Sequence, residues 1–252
     1  MTTAKNIYDF INGFAPFETQ MHFDNAGLLI GTETAVSNTV LLSLDLTSDV
    51  VKEAVQKNAQ IIVTHHPVIF NPLKAISSES AVFKCIQNNI TVISAHTNLD
   101  ISKNGVNETL AEYAGVIPDE YFNEDCMIFG HLENPTDCQI LANSLKKNIS
   151  GLRYTDTGII QKIAVSCGAG GNNIFLAKKC GADGFITGEI KHHEIIFANE
   201  NNIAIFDLGH FNSENFIIPR LSKMLSDSFP DTAFLQSETF SDKLIYVKGG
   251  LQ

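Results

Sequence analysis

The chain has 252 residues, 17 Lys+Arg against 28 Asp+Glu, and a formal net charge of −11. With 44% hydrophobic and 18% charged residues it has a globular rather than a disordered composition, and its length suffices for one large domain or two modest ones. No apolar run reaches the roughly 18–20 residues of a membrane span, and the acidic balance disfavours a protein that grips nucleic-acid phosphates.

The opening stretch MTTAKNIYDFINGF lacks the apolar core and small-residue cleavage site of a secretory signal. Five cysteines (Cys85, Cys126, Cys138, Cys167, Cys180) form no C-x-x-C pair, so neither a thiolate zinc knuckle nor a redox dithiol is written. A reducing cytoplasm is the expected location.

In chain order, Val40–Leu46 reads as a buried strand, Ser48–Asn58 as a helix with apolar Val50, Val51, Ala54 and Val55, and Ile61–Thr64 and Thr91–Ala95 as further strands. Lys162–Ser166, Gly184–Thr187 and Ile203–Leu208 follow as strands, with a helix over Asn172–Cys180. β-Branched and aliphatic runs without strict alternation, separated by helices of about ten residues, indicate an α/β fold with a largely parallel core.

The pattern repeats. LLSLDL, SDVVKEAVQKN and IIVT lead to His65-His66; KIAVS, a glycine-rich turn, NIFLAKKCGA and GFIT lead to His192-His193. Each half then closes with a strand ending in histidine, at His96 and at His210. Two similar α/β halves are expected, residues 1–125 and 126–252, face to face or intertwined, with the boundary inside 114–133, where Pro118 and Gly130 fall and helical periodicity fades.

Six of the eight histidines lie just past expected strand ends: His65, His66, His96, His192, His193 and His210. In open α/β sheets ligands bind outside those ends. His96 and Asp100 are four apart, as are His210 and Glu214, so one helical turn would align each pair. Imidazole and carboxylate without thiolate suits Zn, Mn or Fe(II). More donors than one tetrahedral ion needs suggests two ions. The run Cys167-Gly168-Ala169-Gly170-Gly171-Asn172-Asn173 is either a tight structural turn or an anion cradle at a helix start. Asp24-Asn25-Ala26-Gly27 reads as a turn.

DNAGLLIG, VTHHP, SAHTNLD, SCGAGG…GADGFITGE…HH and DLGHFNSE stand here in an order that resembles the dinuclear-metal family of GTP cyclohydrolase I type 2 homologues, the NGG-one-interacting-factor-three-like proteins. The resemblance runs from Phe10 to Val247. It implies a fold of two intertwined α/β halves, with mixed sheets flanked by helices in three α/β/α layers. It further implies two divalent ions per subunit held by His65, His66, Asp100, His210 and Glu214, with His96 and His193 as proton donors or supporting groups, and a homohexamer. Phe23 stands where the family commonly has tryptophan, and Pro219 should interrupt the helix after Glu214. The implied reaction is hydrolysis of GTP to formate and dihydroneopterin triphosphate. The only apparent triphosphate grips are the Gly168–Gly171 turn and Lys178, Lys179 and Lys191. A metal-dependent phosphoesterase and a non-catalytic metal-binding or scaffold protein are the alternatives.

Overall fold

A computed structural model describes residues 1–244, and its chain groups into two compact units. The first comprises Met1–Gly105 with Ile217–Ser241, the second Val106–Phe216 with the stretch from Asp242. Residues 245–252, at the end of the expected second half, lie outside the described residues. Residues 106–125, grouped by sequence with the first half, belong to the second unit, because their helix packs on that unit's strands. No helix among the described residues is long and apolar enough to cross a membrane.

The first unit contains β1 (Thr2–Thr3), α1 (Ala4–Phe14), β2 (Gly27–Ile30), β3 (Val36–Ser37), β4 (Thr39–Ser43), α2 (Ser48–Gln56), β5 (Ile61–Thr64), α3 (Ala81–Gln87), β6 (Thr91–Ser94) and α4 (Thr97–Asp100). After the second unit come α10 (Ile217–Ser228) and β13 (Ala233–Gln236). Its main sheet runs β13-β4-β5-β6-β2, parallel except for β2 at the edge, while β1 and β3 form a separate antiparallel pair.

Side-chain caps start the helices: Thr47 accepts from the Val50 amide, Ser80 from Phe83, and Thr3 forms a capping box with Asn6, each cap contributing about 1 kcal/mol. Leu41, Ile62 and Val92 from the sheet and Val50, Val51 and Ala54 from α2 share one core. The helix face differs from the expected one by a residue: Val55 is exposed and Glu53 is buried. Glu53 accepts from Ser237 Oγ (2.6 Å), the Glu238 amide (3.0 Å) and Thr239 Oγ1 (2.8 Å), tying the segment after β13 to α2.

The second unit contains α5 (Val106–Ala114), β7 (Val116–Phe122), β8 (Met127–Asp137), α6 (Cys138–Leu145), β9 (Arg153–Tyr154), β10 (Ile159–Ser166), α7 (Ile174–Lys179), β11 (Gly184–Thr187), α8 (His192–Glu200), β12 (Ala204–Asp207) and α9 (His210–Glu214). Its sheet runs β7-β8-β10-β11-β12-β9; β10, β11 and β12 are parallel and the other pairings antiparallel. Ala164, Phe185, Ile205, Ala177 and Ala198 form its core. Both units are therefore α/β, with mixed sheets flanked by helices.

One turn recurs four times. After α2, α3 and α8 a single asparagine (Asn58, Asn89, Asn202) takes positive φ near 54°, 53° and 55°, and after α7 Gly181 does so at 83°. In each case the next amide reaches back to the helix: Ala59 to Ala54, Ile90 to Cys85, Ala182 to Ala177, Ile203 to Ala198. This six-to-one closure is the Schellman stop, and asparagine and glycine tolerate it best.

Pro219 lies in the first turn of α10, where a missing amide costs nothing. The helix after Glu214 is interrupted before it, between α9 and α10.

Candidate metal-binding residues

In the first unit the donors gather where β4, β5 and β6 end. His65 and His66 follow β5, with both amides bonded to the Leu44 carbonyl (3.2 and 3.0 Å). Thr64 Oγ1 donates to the His66 carbonyl (2.9 Å) and shares a 2.7 Å hydrogen bond with Ser94 on β6. The short histidine segment is thus held from both neighbouring strands. His65, His66 and His96 bring one ligand nitrogen each within 4.8 Å of one another, and Asp100 Oδ1 lies 3.4 Å from His65 Nε2.

The ring orientations have definite causes. His65 Nδ1 is 2.8 Å from the Ala95 carbonyl, which only accepts, so Nδ1 carries the proton. His66 Nδ1 donates to Asp45 (2.9 Å) and His96 Nδ1 to Asp24 (2.8 Å). All three imidazoles therefore direct Nε2 inward with a lone pair when neutral, the second-sphere arrangement typical of metal-ligating histidine.

Asp24 departs most from its expected part. Its carboxylate also receives the Thr97 amide (3.0 Å) and the Thr97 hydroxyl. Burial alone would raise its pKa, but the His96 and Thr97 hydrogen bonds and the neighbouring His96 charge outweigh it and hold the group at about 2. The Asp-Asn turn is a support for His96.

In the second unit, His210 and Glu214 occupy the ends of the short helix α9, with Nε2 and Oε2 3.2 Å apart. His210 Nδ1 donates to Glu189 (2.7 Å), just after β11. The glycine-rich run serves this pair. Gly168 sits at φ 55°, and a Cβ there would overlap Glu214 Oε1 and approach His210 Cε1 to 3.4 Å. Its amide donates to Ser213 Oγ (2.9 Å). Added carbons at Gly170 and Gly171 would strike Ser166 and the Glu189 carbonyl. Close packing accounts for these glycines, which decides for the structural turn over the anion cradle.

His193 lies on the first turn of α8 with 68% of its side chain exposed, 3.8 Å from Glu194. Beside His210 and Glu189 the same unit has a cavity of about 590 Å³, also lined by Arg153 and Asp207. Arg153 donates to Asp207 through Nε (3.0 Å) and one Nη, while most of its side chain is exposed.

Asp45, Asp24 and Glu189 were missed as site residues in the sequence. Their common signal is a carboxylate placed after a strand or in a turn, without the histidine spacing that marks the other donors. Among the described residues no cysteine joins a candidate metal group, and burial pushes the Cys85 thiol up to about 12.

The family model described as Duf34/NIF3 (NGG1p interacting factor 3) matches residues 2–243. A Clostridium acetobutylicum protein named GTP cyclohydrolase 1 type 2 homolog is 34% identical over 238 residues, spanning 88% of this chain and 89% of its own. A Clostridium perfringens protein of the same name is 32% identical, spanning 96% and 98%. A crystal structure of a Staphylococcus aureus protein shares the fold, with a TM-score of 0.87 at 24% identity over 98% of this chain and 99% of that one.

Proposed function

The chain belongs to the Duf34/NIF3 family, and from that premise we propose that it is a dinuclear metal-dependent hydrolase. His65, His66, Asp100, His210 and Glu214 would hold the two ions, Zn, Fe(II) or Mn in type. The observation that carries this reading is the common geometry of the candidate imidazoles. Each of His65, His66 and His210 has Nδ1 tied to an oxygen acceptor, leaving Nε2 as the coordinating atom. The donor chemistry fits such ions, and Gly168 makes room for the Glu214 carboxylate.

When bound, the ions would supply Lewis acidity and lower the pKa of water to near neutrality. The chain's own residues do the rest. His96 Nε2 takes up and returns a proton, with His193 as a second, exposed proton carrier. The 590 Å³ cavity beside His210 receives the substrate, and the exposed edge of Arg153 meets an anionic group on it. The names of the relatives point to GTP, and the proposed products are formate and dihydroneopterin triphosphate. The active form is a homohexamer in the cytoplasm.

The test is elemental analysis of the purified protein with its mass in solution, followed by a screen of GTP and other nucleotides for formate and phosphate release. Two ions per chain and formate from GTP are expected. Phosphate release alone would make it a phosphoesterase. Bound metal without turnover would leave a metal-binding or scaffold protein, and failure to bind zinc, iron or manganese would overturn the hydrolase.

A further inference from the structure

We propose that Asp24 is a positioning residue that locks His96 in its Nδ1–H tautomer, so that Nε2 is presented as a proton acceptor beside His65 and His66. The inference rests on the reading of His96 as the proton-handling group and specifies which of its nitrogens acts.

The hydrogen-bond directions around Asp24 leave no alternative tautomer. Its side chain is 0% exposed, so solvent does not compete. Oδ1 receives the Asn25 amide (2.7 Å) as well as His96 Nδ1 (2.8 Å). Oδ2 receives the Thr97 amide (3.0 Å) and the Thr97 hydroxyl. That hydroxyl's direction is itself fixed, because Thr97 Oγ1 accepts the Met21 amide (2.9 Å) and must turn its proton toward Asp24. Every neighbour is therefore a donor to an acceptor-only carboxylate, and His96 joins them only with a proton on Nδ1.

The ring is fixed from its backbone as well. The His96 amide donates to Asn98 Oδ1 (3.0 Å), and the His96 carbonyl accepts the amides of Leu99 (2.7 Å) and Asp100 (2.9 Å). With Nδ1 facing Asp24, the ring lies edge-on to both other histidines, its centroid 5.2 Å from His65 and 5.5 Å from His66. A neutral His96 built this way is a base in its resting state. It acts as an acid only after taking a proton. The same directional logic, a buried carboxylate holding an imidazole in the useful tautomer, underlies the Asp–His pairs of hydrolytic triads.

The test is a long-range proton–nitrogen correlation spectrum of the metal-free protein with labelled histidine, at about pH 9, where unperturbed imidazoles are neutral. His96 is assigned by its absence in His96→Gln. In the wild type, His96 should show a protonated Nδ1 and a pyridine-type Nε2. In Asp24→Ala the Nε2–H form preferred by free histidine should predominate. Thr97→Val, which removes a donor to Asp24 but not the carboxylate, should lower the melting temperature and leave the tautomer unchanged. A wild-type Nε2–H tautomer would overturn the proposal without any variant. So would an Asp24→Ala spectrum like that of the wild type, or a Thr97→Val spectrum that switches. None of these readouts depends on metal or turnover, so the hydrolase reading and this one fail separately.

Discussion

Gly168 lies against the carboxylate of Glu214, so close that a methyl group in place of its hydrogen would overlap Oε1. The residue is also in the left-handed region, at φ 55°, where a side chain adds strain. Gly168→Ala should therefore displace Glu214. The expected result is a zinc affinity lower by about 10–100-fold and a loss of about 1–3 kcal/mol in stability, read by calorimetric titration and urea unfolding. An unchanged zinc affinity would remove Glu214 from the ligand set.

The acceptors behind the imidazoles can be tested without touching a ligand. Asp45 and Glu189 each take the Nδ1 proton of one histidine, His66 and His210, and both are exposed enough to be replaced without a core defect. Asp45→Ala and Glu189→Ala should each weaken zinc binding about 10-fold or more, with a melting temperature near that of the wild type. Equal affinity in both variants would show that ring orientation is set elsewhere.

His65 is buried and held on both sides by backbone. His65→Ala should abolish stoichiometric metal in elemental analysis while the far-ultraviolet circular dichroism stays native. Asp100→Asn should also lose metal, because a neutral amide cannot balance the charge of a cation as a carboxylate does. Turnover that survives the loss of metal would contradict the assignment.

Glu53 gives a pH dependence remote from the histidines. Burial raises its pKa, but the Glu238 amide, Lys57, Ser237 and Thr239 together lower it from 4.5 to about 2. A depressed carboxylate stabilises the fold fully above the unfolded value and loses that contribution as pH falls toward the folded one. Glu53→Gln should cost on the order of 2–3 kcal/mol at neutral pH, with the difference from wild type shrinking between pH 4.5 and about 2. Urea unfolding across that range checks it; a constant difference would rule out the ionised form as the source.

Strand positions were legible because the buried parallel strands are short apolar runs: Ile61–Thr64 and Gly184–Thr187 are the structural strands themselves. The antiparallel pair β7 and β8 was not, since Val116–Phe122 exposes most of its residues and carries Pro118 and three acidic or polar side chains among few apolar ones. Nor was α10 with β13, whose place in the first unit depends on β13 pairing with β4 far away in sequence. The histidines were visible from their place after strands. Asp24 was hidden because its neighbours describe a turn, and only the fold brings His96 and Thr97 to it.

The recurring helix stops act as a ruler. Each sets how far a strand begins beyond the preceding helix, and because a strand alternates faces, a single inserted residue inverts everything downstream. One residue added after Asn58 would shift the pleat of β5 by half a period, putting Thr64 where His65 now stands and His65 where His66 now stands. The left-handed asparagines thus fix which of two chemically identical neighbours points toward Asp100 and which toward Asp45.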